Sequence, residues 1–469
     1  MSVPLVSRRQ LLALAGAAGG LVAAGGGRAA AAGTRAPSPA RRAIADEVRR
    51  EFLHAWNAYK RLAWGQDELL PVSGTFRDFF ADGHPVGLTI IESLDTLFFM
   101  ELDDDLDRSV RWIKDNVDFD IDADFQMFET VIRVLGGLLS GFHCTGDRAL
   151  LELARDVGDR MLPCFTESPT GAPYRFVNPH TGEVSGPRNF LAEIGTNIAE
   201  FGDLSALTRD PKYFRASKRA YQAVVDRRSD LGLVGTTLNV ETGEWVDGVS
   251  SINPPVDSFY EYLWDGWFLF RDRDLLRWYR EFHDAIVRHQ AERFGGHLWF
   301  KRVDHTTGEL FDRHQSELGS FYAGLLGEGG DLRRGAAYHD SWAALTERWE
   351  ILPEDIDYST LEVLGAGNQL RPEFVDSAFA LWLHTGSEVY RDRALRYFRA
   401  VKRNARVPNG YTIIDDVTTR PMKLGDLTSA YWYSENMKYY YLMFADSPRF
   451  NYRDNYLTTE GDVLRGVIR

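Results

Sequence analysis

Helical periodicity combined with a recurring turn is the feature that most constrains this fold. Apolar residues recur every three to four positions through most of the chain, as in residues 47–62, and this is the spacing of one helix face. Three similar turns, Thr145-Gly146-Asp147, Thr208-Arg209-Asp210 and Thr385-Gly386-Ser387, each end one apolar helix and begin another. Their separations are close to multiples of about 60 residues, which suits a repeated helical hairpin. We therefore predict an all-α fold of about seven helix pairs, with an irregular all-α fold as the alternative.

Segments with strand character are few. Residues 232–239 and 295–303 have it, and we expect them to form small β-hairpins at one rim of the helices. No linker rich in Pro, Gly and Ser divides residues 33–469, so these residues are predicted to form one domain.

The first 32 residues have the layout of an export signal. Ser7-Arg8-Arg9-Gln10 precedes an apolar stretch at 11–24, and a run of small residues follows at 29–32. The paired arginines resemble a twin-arginine signal of bacteria; a disordered tail is the alternative. No later segment has the roughly 20 apolar residues of a membrane helix. We therefore predict residues 1–32 to be a signal peptide and the mature protein to be periplasmic or extracellular, without a membrane span.

Charge and motifs exclude several functions. The formal net charge is −14, which disfavours nucleic-acid binding because phosphate contacts need clustered Lys and Arg. The sequence contains no HExxH, no GxxxxGK[ST], no GxGxxG and no GxSxG motif. Its two cysteines, Cys144 and Cys164, could pair after export or remain two buried thiols.

Acidic residues recur inside the most apolar helical segments. An acid in such a position faces the interior of a bundle or a shared cavity, and it needs a partner or a changed pKa. Arg133 follows Glu129 by one helical turn, and such a pair could be purely structural. The other acids outnumber the bases near them, which indicates a site; the group comprises Glu92, Asp95, Glu129, Glu193, Glu200, Asp257, Glu261, Glu373, Asp376 and Glu435.

Two carboxylates in different protonation states would suit glycoside hydrolysis. Pro372 fits the first turn of a helix, so Glu373 is expected near a helix N-terminus, which favours its ionised form and the role of general base. Closely grouped acids raise the pKa of one member, which can then act as general acid. Aromatic residues, at 13% of the chain, could supply platforms for sugar rings, although most are expected to fill the core.

One calcium-binding pattern is a decoy. Asp118, Asp120, Asp122 and Glu129 match positions 1, 3, 5 and 12 of an EF-hand loop. Ala123 stands where that loop needs glycine, and Glu129 continues directly into an apolar helix, so we do not predict an EF-hand.

Eight segments in order carry a family resemblance. They are AWNAYKRLAWGQDEL (55–69), LTIIESLDTLFFMEL (88–102), FETVIRVLGGLL (128–139), LAEIGTNIAEFGDLSALTRDPKYF (191–214), DSFYEYL (257–263), LRPEFVDS (370–377), SENMKYYYLMF (434–444) and TTEGDVL (458–464). This series resembles glycoside hydrolase family 47, the class I α-1,2-mannosidases. The resemblance implies an (α/α)7 barrel closed by a C-terminal plug. It also implies calcium-dependent, exo-acting, inverting hydrolysis that removes terminal α-1,2-linked mannose from mannose-rich glycans or mannobiose.

The resemblance also implies roles for individual residues. Glu129 matches a carboxylate proposed to protonate the leaving group, Asp257 matches the other carboxylate on that side, and Glu373 matches the general base. An inverting acid and base are expected about 6.5–9.5 Å apart, which leaves room for water. Thr459 matches the residue that binds Ca²⁺ through its hydroxyl and carbonyl oxygens. Other residues match positions around the mannose subsite or the calcium waters, namely Arg133, Glu193, Glu200, Asp376, Tyr431, Glu435 and Glu460.

The chain departs from the family pattern at several positions. Thr458 replaces the usual Asn, and Gly461-Asp462 replaces Ala-His. Asp376 is shorter than the common Glu, and Glu317 replaces a His. Ser320 replaces a cysteine that forms a disulfide in the family. Pro255 replaces an Arg that contacts the outer branches of the glycan in some members.

Because of these departures, the sequence does not identify the natural glycan or which of its branches is preferred. Two other functions remain as alternatives, a non-catalytic mannose-binding protein and another helical-barrel carbohydrate enzyme such as an epimerase. We expect a monomer.

Overall fold

Apolar helices and amphipathic helices alternate along the chain. The computed structural model describes residues 38–452 and 455–465, so the predicted signal peptide lies outside the described residues. The apolar helices are buried on nearly every side and form an inner ring. The amphipathic helices bury one face against that ring and expose the other to solvent.

The inner ring has seven helical segments within the described part of the chain, and most are irregular near their starts. They are Leu88–Glu92 with Leu94–Phe99; Met127–Glu129 with the π-helix Thr130–Leu135 and Gly136–Thr145; Leu191–Gly195 with Ile198–Thr208; Asp257–Phe270; the 3₁₀ helix Glu317–Phe321 with Tyr322–Glu328; Glu373–Thr385; and the π-helix Trp432–Asn436 with Met437–Ala445.

The outer ring supplies one partner for each inner segment. In the order of those segments, the partners are Asp103–Asn116, Arg148–Met161, Lys212–Val225, Arg273–His289, Leu332–Trp349, Glu388–Asn404 and Pro39–Leu62. A short helix, Pro163–Thr166, follows the second outer helix. Each inner segment also contacts the next one around the ring, and the last contacts the first. The predicted barrel of seven helix pairs, an (α/α)7 barrel, is therefore confirmed.

The three turns singled out in the sequence share one hydrogen-bond pattern. The hydroxyls of Thr145, Thr208 and Thr385 each donate to the carbonyl four residues earlier, at 2.6–2.7 Å. Each hydroxyl also accepts the N–H two residues later, at 3.1–3.4 Å. The threonine thereby caps an inner helix and directs the chain into an outer one.

Short antiparallel strands are more numerous than predicted, because most are only two or three residues long and give no clear alternation. Residues 237–239 of the first predicted run pair with Arg188–Phe190, and the second run contributes to two sheets. The pairings are Glu68–Leu70 with Thr75–Arg77; Phe125–Gln126, Phe176–Val177 and Val184–Ser185; Arg188–Phe190 with Thr237–Asn239; Val249–Ser250, Arg302–Asp304 and Leu310–Asp312; Ala291–Phe294 with His297–Phe300; His314–Ser316, Asp355–Asp357 and Glu362–Gly365; Arg406–Val407 with Gly410–Tyr411; Ile414–Asp416 with Lys423–Leu424; and Tyr456–Leu457 with Val463–Arg465.

All but the last of these pairings lie where the chain passes from an outer helix to the next inner helix. They therefore surround the end of the barrel at which the inner helices begin. The last pairing is the C-terminal hairpin, which packs against the inner segments Gly136–Thr145 and Ile198–Thr208. Its turn, residues 458–462, reaches the barrel interior, as a plug would. No helix of the described residues is long and apolar enough to cross a membrane.

Candidate active site

A cavity of about 250 Å³ opens where the inner helices begin. With the exception of Glu200, it is lined by the residues to which the sequence assigned a catalytic, substrate or metal role: Glu129, Arg133, Glu193, Asp257, Asp376, Glu373, Tyr431, Glu435, Thr459 and Glu460. They come from five inner segments, with Tyr431 directly before the segment that carries Glu435, and from the plug turn. The fold therefore brings together residues that are up to 331 positions apart in the chain, as Glu129 and Glu460 illustrate.

The acids reach the cavity because they occupy the first turns of the inner helices. Glu373 is the first residue of its helix, with Pro372 as the N-cap, and Asp257 likewise begins its helix. Glu129 directly precedes the π-helix Thr130–Leu135, and Glu435 lies within a second π-helix. Helix N-termini favour negative charge, and π-segments often occur where a helix must present a functional side chain.

Arg133 joins three carboxylates on one wall of the cavity. Its Nε donates to Glu129 Oε2 at 2.6 Å, and its Nη1 contacts Glu92 Oε1 at 3.2 Å and also Glu460. The guanidinium lies 5.6 Å from the ring centre of Tyr431. The pair with Glu129, which could have been purely structural, thus belongs to a network that faces the cavity.

Arg371 is a second arginine that lines the cavity. Its Nε donates to Glu354 Oε2 at 3.0 Å, and Glu354 Oε1 accepts the N–H of Gln369 at 2.7 Å. The hydroxyl of Tyr431 donates to the carbonyl of Gln369. The aromatic ring at the cavity is therefore held in place by the segment that leads into Glu373.

Opposing influences act on the pKa of the proposed base, Glu373. Burial raises the pKa of Glu373 to about 8, although the positive charge of Arg371 and the helix start oppose this shift. In this cavity, desolvation thus outweighs the helix N-terminus that was expected to keep the carboxylate ionised. Burial also raises the pKa of Asp257, to about 6. Asp257 and Glu373 therefore have pKa values near neutrality, as acid–base catalysis requires.

The floor of the cavity concentrates negative charge. Burial and the neighbouring Asp376 raise the pKa of Glu261 well above its ordinary value, and burial and Glu460 do the same for Glu435. Burial also raises the pKa of Glu460, to about 7. The side chain of Thr459 lies next to Glu261 on this floor. A divalent cation would relieve this mutual repulsion.

The residues present fit calcium. The cavity is lined by Thr459, whose hydroxyl and carbonyl oxygens are possible ligands, and by a surrounding set of carboxylates, and hard cations prefer oxygen ligands. Glu373 Oε2 is buried and has no hydrogen-bond partner among the described residues, which leaves it available to water or substrate. Among the described residues, no group of three or more His, Cys, Asp or Glu is arranged to hold a metal ion directly.

Two other predicted acids lie at the edges of the site. Glu193 lines the cavity and accepts hydrogen bonds from Arg175 at 2.9–3.2 Å and from Gln126 at 2.8 Å. Glu200 is not among the lining residues; it is fully buried behind them and accepts the hydroxyl of Tyr262 at 2.6 Å.

Sequence reasoning gave no role to several lining residues. Glu261 was noted as an acid but left unassigned, although its spacing of four from Asp257 places both on one helix face. Arg371 could have been found from its place two residues before Glu373. The apolar lining residues carried no separate signal because they read as ordinary core; they are Phe128, Phe190, Leu318 and Phe321.

The structure also decides two further points. Cys144 and Cys164 are buried thiols and not a disulfide. The EF-hand pattern forms no calcium loop, since Asp120 pairs with Arg160 and His180 and Glu129 faces the cavity.

The structure places four of the residues that depart from the family pattern. Gly461 adopts a φ of +72°, a left-handed conformation in which a side chain would be strained. Asp462 and Glu317 are buried, and Pro255 lines the cavity.

A helical barrel with paired carboxylates and an arginine-held aromatic at one end has the features of a carbohydrate-active hydrolase. Comparison with known proteins supports this class and identifies the family. Residues 51–466 match the model of Glycosyl hydrolase family 47. The chain therefore belongs to glycosyl hydrolase family 47 and is a glycoside hydrolase.

Individual relatives share most of this chain. It is 33% identical to "Alpha-mannosidase I MNS5" of Arabidopsis thaliana over 91% of this chain and 78% of the relative. It is 30% identical to "Mannosyl-oligosaccharide 1,2-alpha-mannosidase MNS1" of the same plant over 92% of this chain and 80% of that relative. The solved "alpha-1,2-mannosidase from Trichoderma reesei" superposes with a TM-score of 0.83 at 24% identity, covering 93% of this chain and 100% of that structure, which shows the shared fold.

Proposed function

We propose that this protein is an exo-acting, inverting, calcium-dependent α-1,2-mannosidase that removes terminal mannose from mannose-rich glycans or mannobiose. The observation that carries the proposal is the single cavity lined by Glu129, Asp257 and Glu373 together with Thr459. Family membership and the names of the relatives support the linkage and the sugar.

The chain's own residues suit the roles of an inverting hydrolase. Glu373, in its ionised form, would remove a proton from the attacking water through the Oε2 atom that has no hydrogen-bond partner among the described residues. On the other side, Glu129 or Asp257 would deliver a proton to the departing oxygen. Arg133 would orient Glu129 and present Tyr431 to the sugar.

Thr459 would hold calcium with its hydroxyl and carbonyl oxygens, and Glu193, Asp376, Glu435 and Glu460 would position the waters or the sugar. When bound, calcium supplies positive charge that grips sugar hydroxyls and lowers the pKa of the nearby carboxyls. A cavity of about 250 Å³ favours a chain end over an internal sugar of a long glycan, which supports exo action.

The first test uses α-1,2-mannobiose and proton NMR. We expect the mature protein with calcium to release β-mannose first, because inversion changes the anomer of the α-linked substrate. A chelator should abolish release. Glu373→Gln should lower kcat by about 10³-fold, since it removes the base while preserving the shape of the side chain.

The control for this test is Glu241→Gln, which changes an exposed acid outside the cavity. Release of α-mannose first would contradict inversion. Full activity in chelator would contradict the calcium dependence, and the absence of release from a folded, calcium-bound protein would contradict the α-1,2-mannosidase assignment.

We further propose that the enzyme acts outside the cytoplasm, because residues 1–32 have the layout of an export signal. Changing Arg8 and Arg9 to Lys should retain the protein inside an expressing bacterium with a twin-arginine pathway, as measured by cell fractionation. Unchanged export would contradict that route.

A further inference from the structure

The plug turn, residues 458–462, is held from behind by three buried side chains. Lys438 Nζ donates to the carbonyl of Gly461 at 2.6 Å and pairs with Asp95 Oδ1 at 2.6 Å. The N–H of Val463 donates to Asp95 Oδ2 and to Ser140 Oγ, both at 3.1 Å. Ser140 in turn donates to Asp95 Oδ2 at 2.9 Å. Three inner helices thus contact the backbone at the end of the turn, at Gly461 and at Val463, the first residue of the strand that follows.

The burial of this arrangement is complete. The side chains of Lys438 and Asp95 both have 0% exposure. A buried ion pair costs a large desolvation energy, so on its own it is weak evidence of stabilisation. Here, however, the pair satisfies a backbone carbonyl and a backbone N–H that enter the barrel away from water, and leaving those groups without partners would also be costly.

The turn is fixed on its cavity side by a different contact. Arg133 pairs with the side chain of Glu460, whereas Lys438 and Asp95 hold the backbone of the residues that follow. Within the turn, the N–H of Gly461 donates to the carbonyl of Thr458 at 2.8 Å. The position of Thr459 therefore depends on a backbone held at both sides, and none of Lys438, Asp95 and Ser140 lines the cavity.

We propose that Lys438, Asp95 and Ser140 are positioning residues that set the calcium affinity of the site by fixing the backbone of the plug turn. They act through Gly461 and Val463 and contact neither the cation nor the sugar. This inference rests on the proposed function, because it assumes that Thr459 binds calcium.

The test measures calcium affinity by isothermal titration of the metal-free, full-length mature protein. Ser140→Ala changes no charge and removes one hydrogen bond to the turn, so Kd should rise about fivefold. The double variant Lys438→Met with Asp95→Asn removes one charge of each sign, and its Kd should rise tenfold or more because the turn loses its main restraint. At saturating calcium, kcat of Ser140→Ala should return to within twofold of wild type.

The matched control is Arg391→Met. Arg391 is a buried cation whose Nε donates to the carbonyl of Met443 at 2.6 Å, near the far end of the helix that carries Lys438. This variant should lose thermal stability without a change in calcium Kd. If Lys438 and Asp95 had only a structural role, the double variant would resemble Arg391→Met, with lower thermal stability and an unchanged calcium Kd.

The outcomes separate the two proposals. Wild-type protein that binds no calcium would overturn both the metal assignment and this inference. Calcium binding by wild type with an unchanged or smaller Kd in Ser140→Ala would overturn this inference alone. Should the double variant not fold, amide hydrogen exchange on metal-free Ser140→Ala gives a second readout, in which residues 455–465 should exchange faster than in wild type and unchanged exchange would count against the proposal.

Discussion

At the scale of single residues, the site shows one chemical group placed in several environments. Glu129 is paired with Arg133, Glu373 is buried near Arg371, and Glu261 faces other acids. These surroundings, and not the residue type, set which carboxyls hold protons. The same reasoning applies outside the site, where the cations around Glu51 lower the pKa of its carboxyl.

The identity of the proton donor gives a first residue-scale prediction. Burial raises the pKa of Asp257 to about 6, whereas Glu129 is paired with a cation, so we expect Asp257 to deliver the proton. α-Mannosyl fluoride has a leaving group that needs no protonation. Asp257→Asn should therefore lose at least about 10²-fold in kcat on mannobiose but retain most of its activity on the fluoride. If Glu129→Gln, and not Asp257→Asn, lost activity on mannobiose but retained it on the fluoride, the proton donor would be Glu129.

Glu51 gives a second residue-scale prediction, on stability. Burial alone would raise its pKa, but hydrogen bonds from Arg406, Lys402 and Tyr411 lower it from 4.5 to about 2. Because the folded pKa lies below the unfolded one, this stabilisation is present above about pH 4.5 and is lost as the pH falls towards 2. Glu51→Gln should cost about 2 kcal/mol at pH 7 and progressively less below pH 4.5. Chemical unfolding at several pH values measures the difference, and a constant difference down to pH 3 would contradict the assignment.

At the scale of secondary-structure elements, irregular helix starts determine what faces the cavity. Glu129 and Glu435 are associated with π-segments, and the plug turn enters the barrel beside both helices. A regular α-helix advances about 100° per residue, so one inserted residue changes which side chains face the axis.

A deletion tests this role of the π-helix. Removing Ile132 from Thr130–Leu135 should restore a regular α-helix and rotate the residues before it, including Glu129, by about 100°. Activity on mannobiose should fall at least about 10²-fold while the far-ultraviolet circular dichroism keeps its helical form. Ile132→Val, which preserves the length, should keep near-normal activity. Normal activity after the deletion would show that the π-segment does not position Glu129.

At the scale of the whole molecule, the barrel links the ends of the chain. The first described helix, Pro39–Leu62, is the outer partner of the last inner segment, and the C-terminal hairpin fills the barrel interior. The cavity is therefore complete only when the full ring has closed. The concentration of buried acids at its floor opposes folding unless those acids are protonated or neutralised by a cation.

Calcium should therefore stabilise the entire fold. At a free calcium concentration of 100 times Kd, the free energy of unfolding should rise by about 2.7 kcal/mol, because only the folded ring assembles the site. Thermal unfolding in calcium and in chelator measures this effect, with magnesium as the control cation. The same Tm in all three solutions would contradict a calcium site at Thr459.

Residue order alone predicted the helical pairs, the acids placed in apolar segments and, through the ordered motifs, the family. These follow from local periodicity and residue type, which act within one or two helical turns. The threonine turns at 145, 208 and 385 are examples, since their hydrogen bonds reach no more than four residues.

The interactions between those acids became visible when the helices were placed in three dimensions. The raised pKa of Glu373, the exclusion of Glu200 from the cavity wall and the buried contact of Lys438 with Gly461 all depend on neighbours from other helices. Desolvation and charge interactions act through space, and a linear pattern carries no information on which helices meet around a cavity.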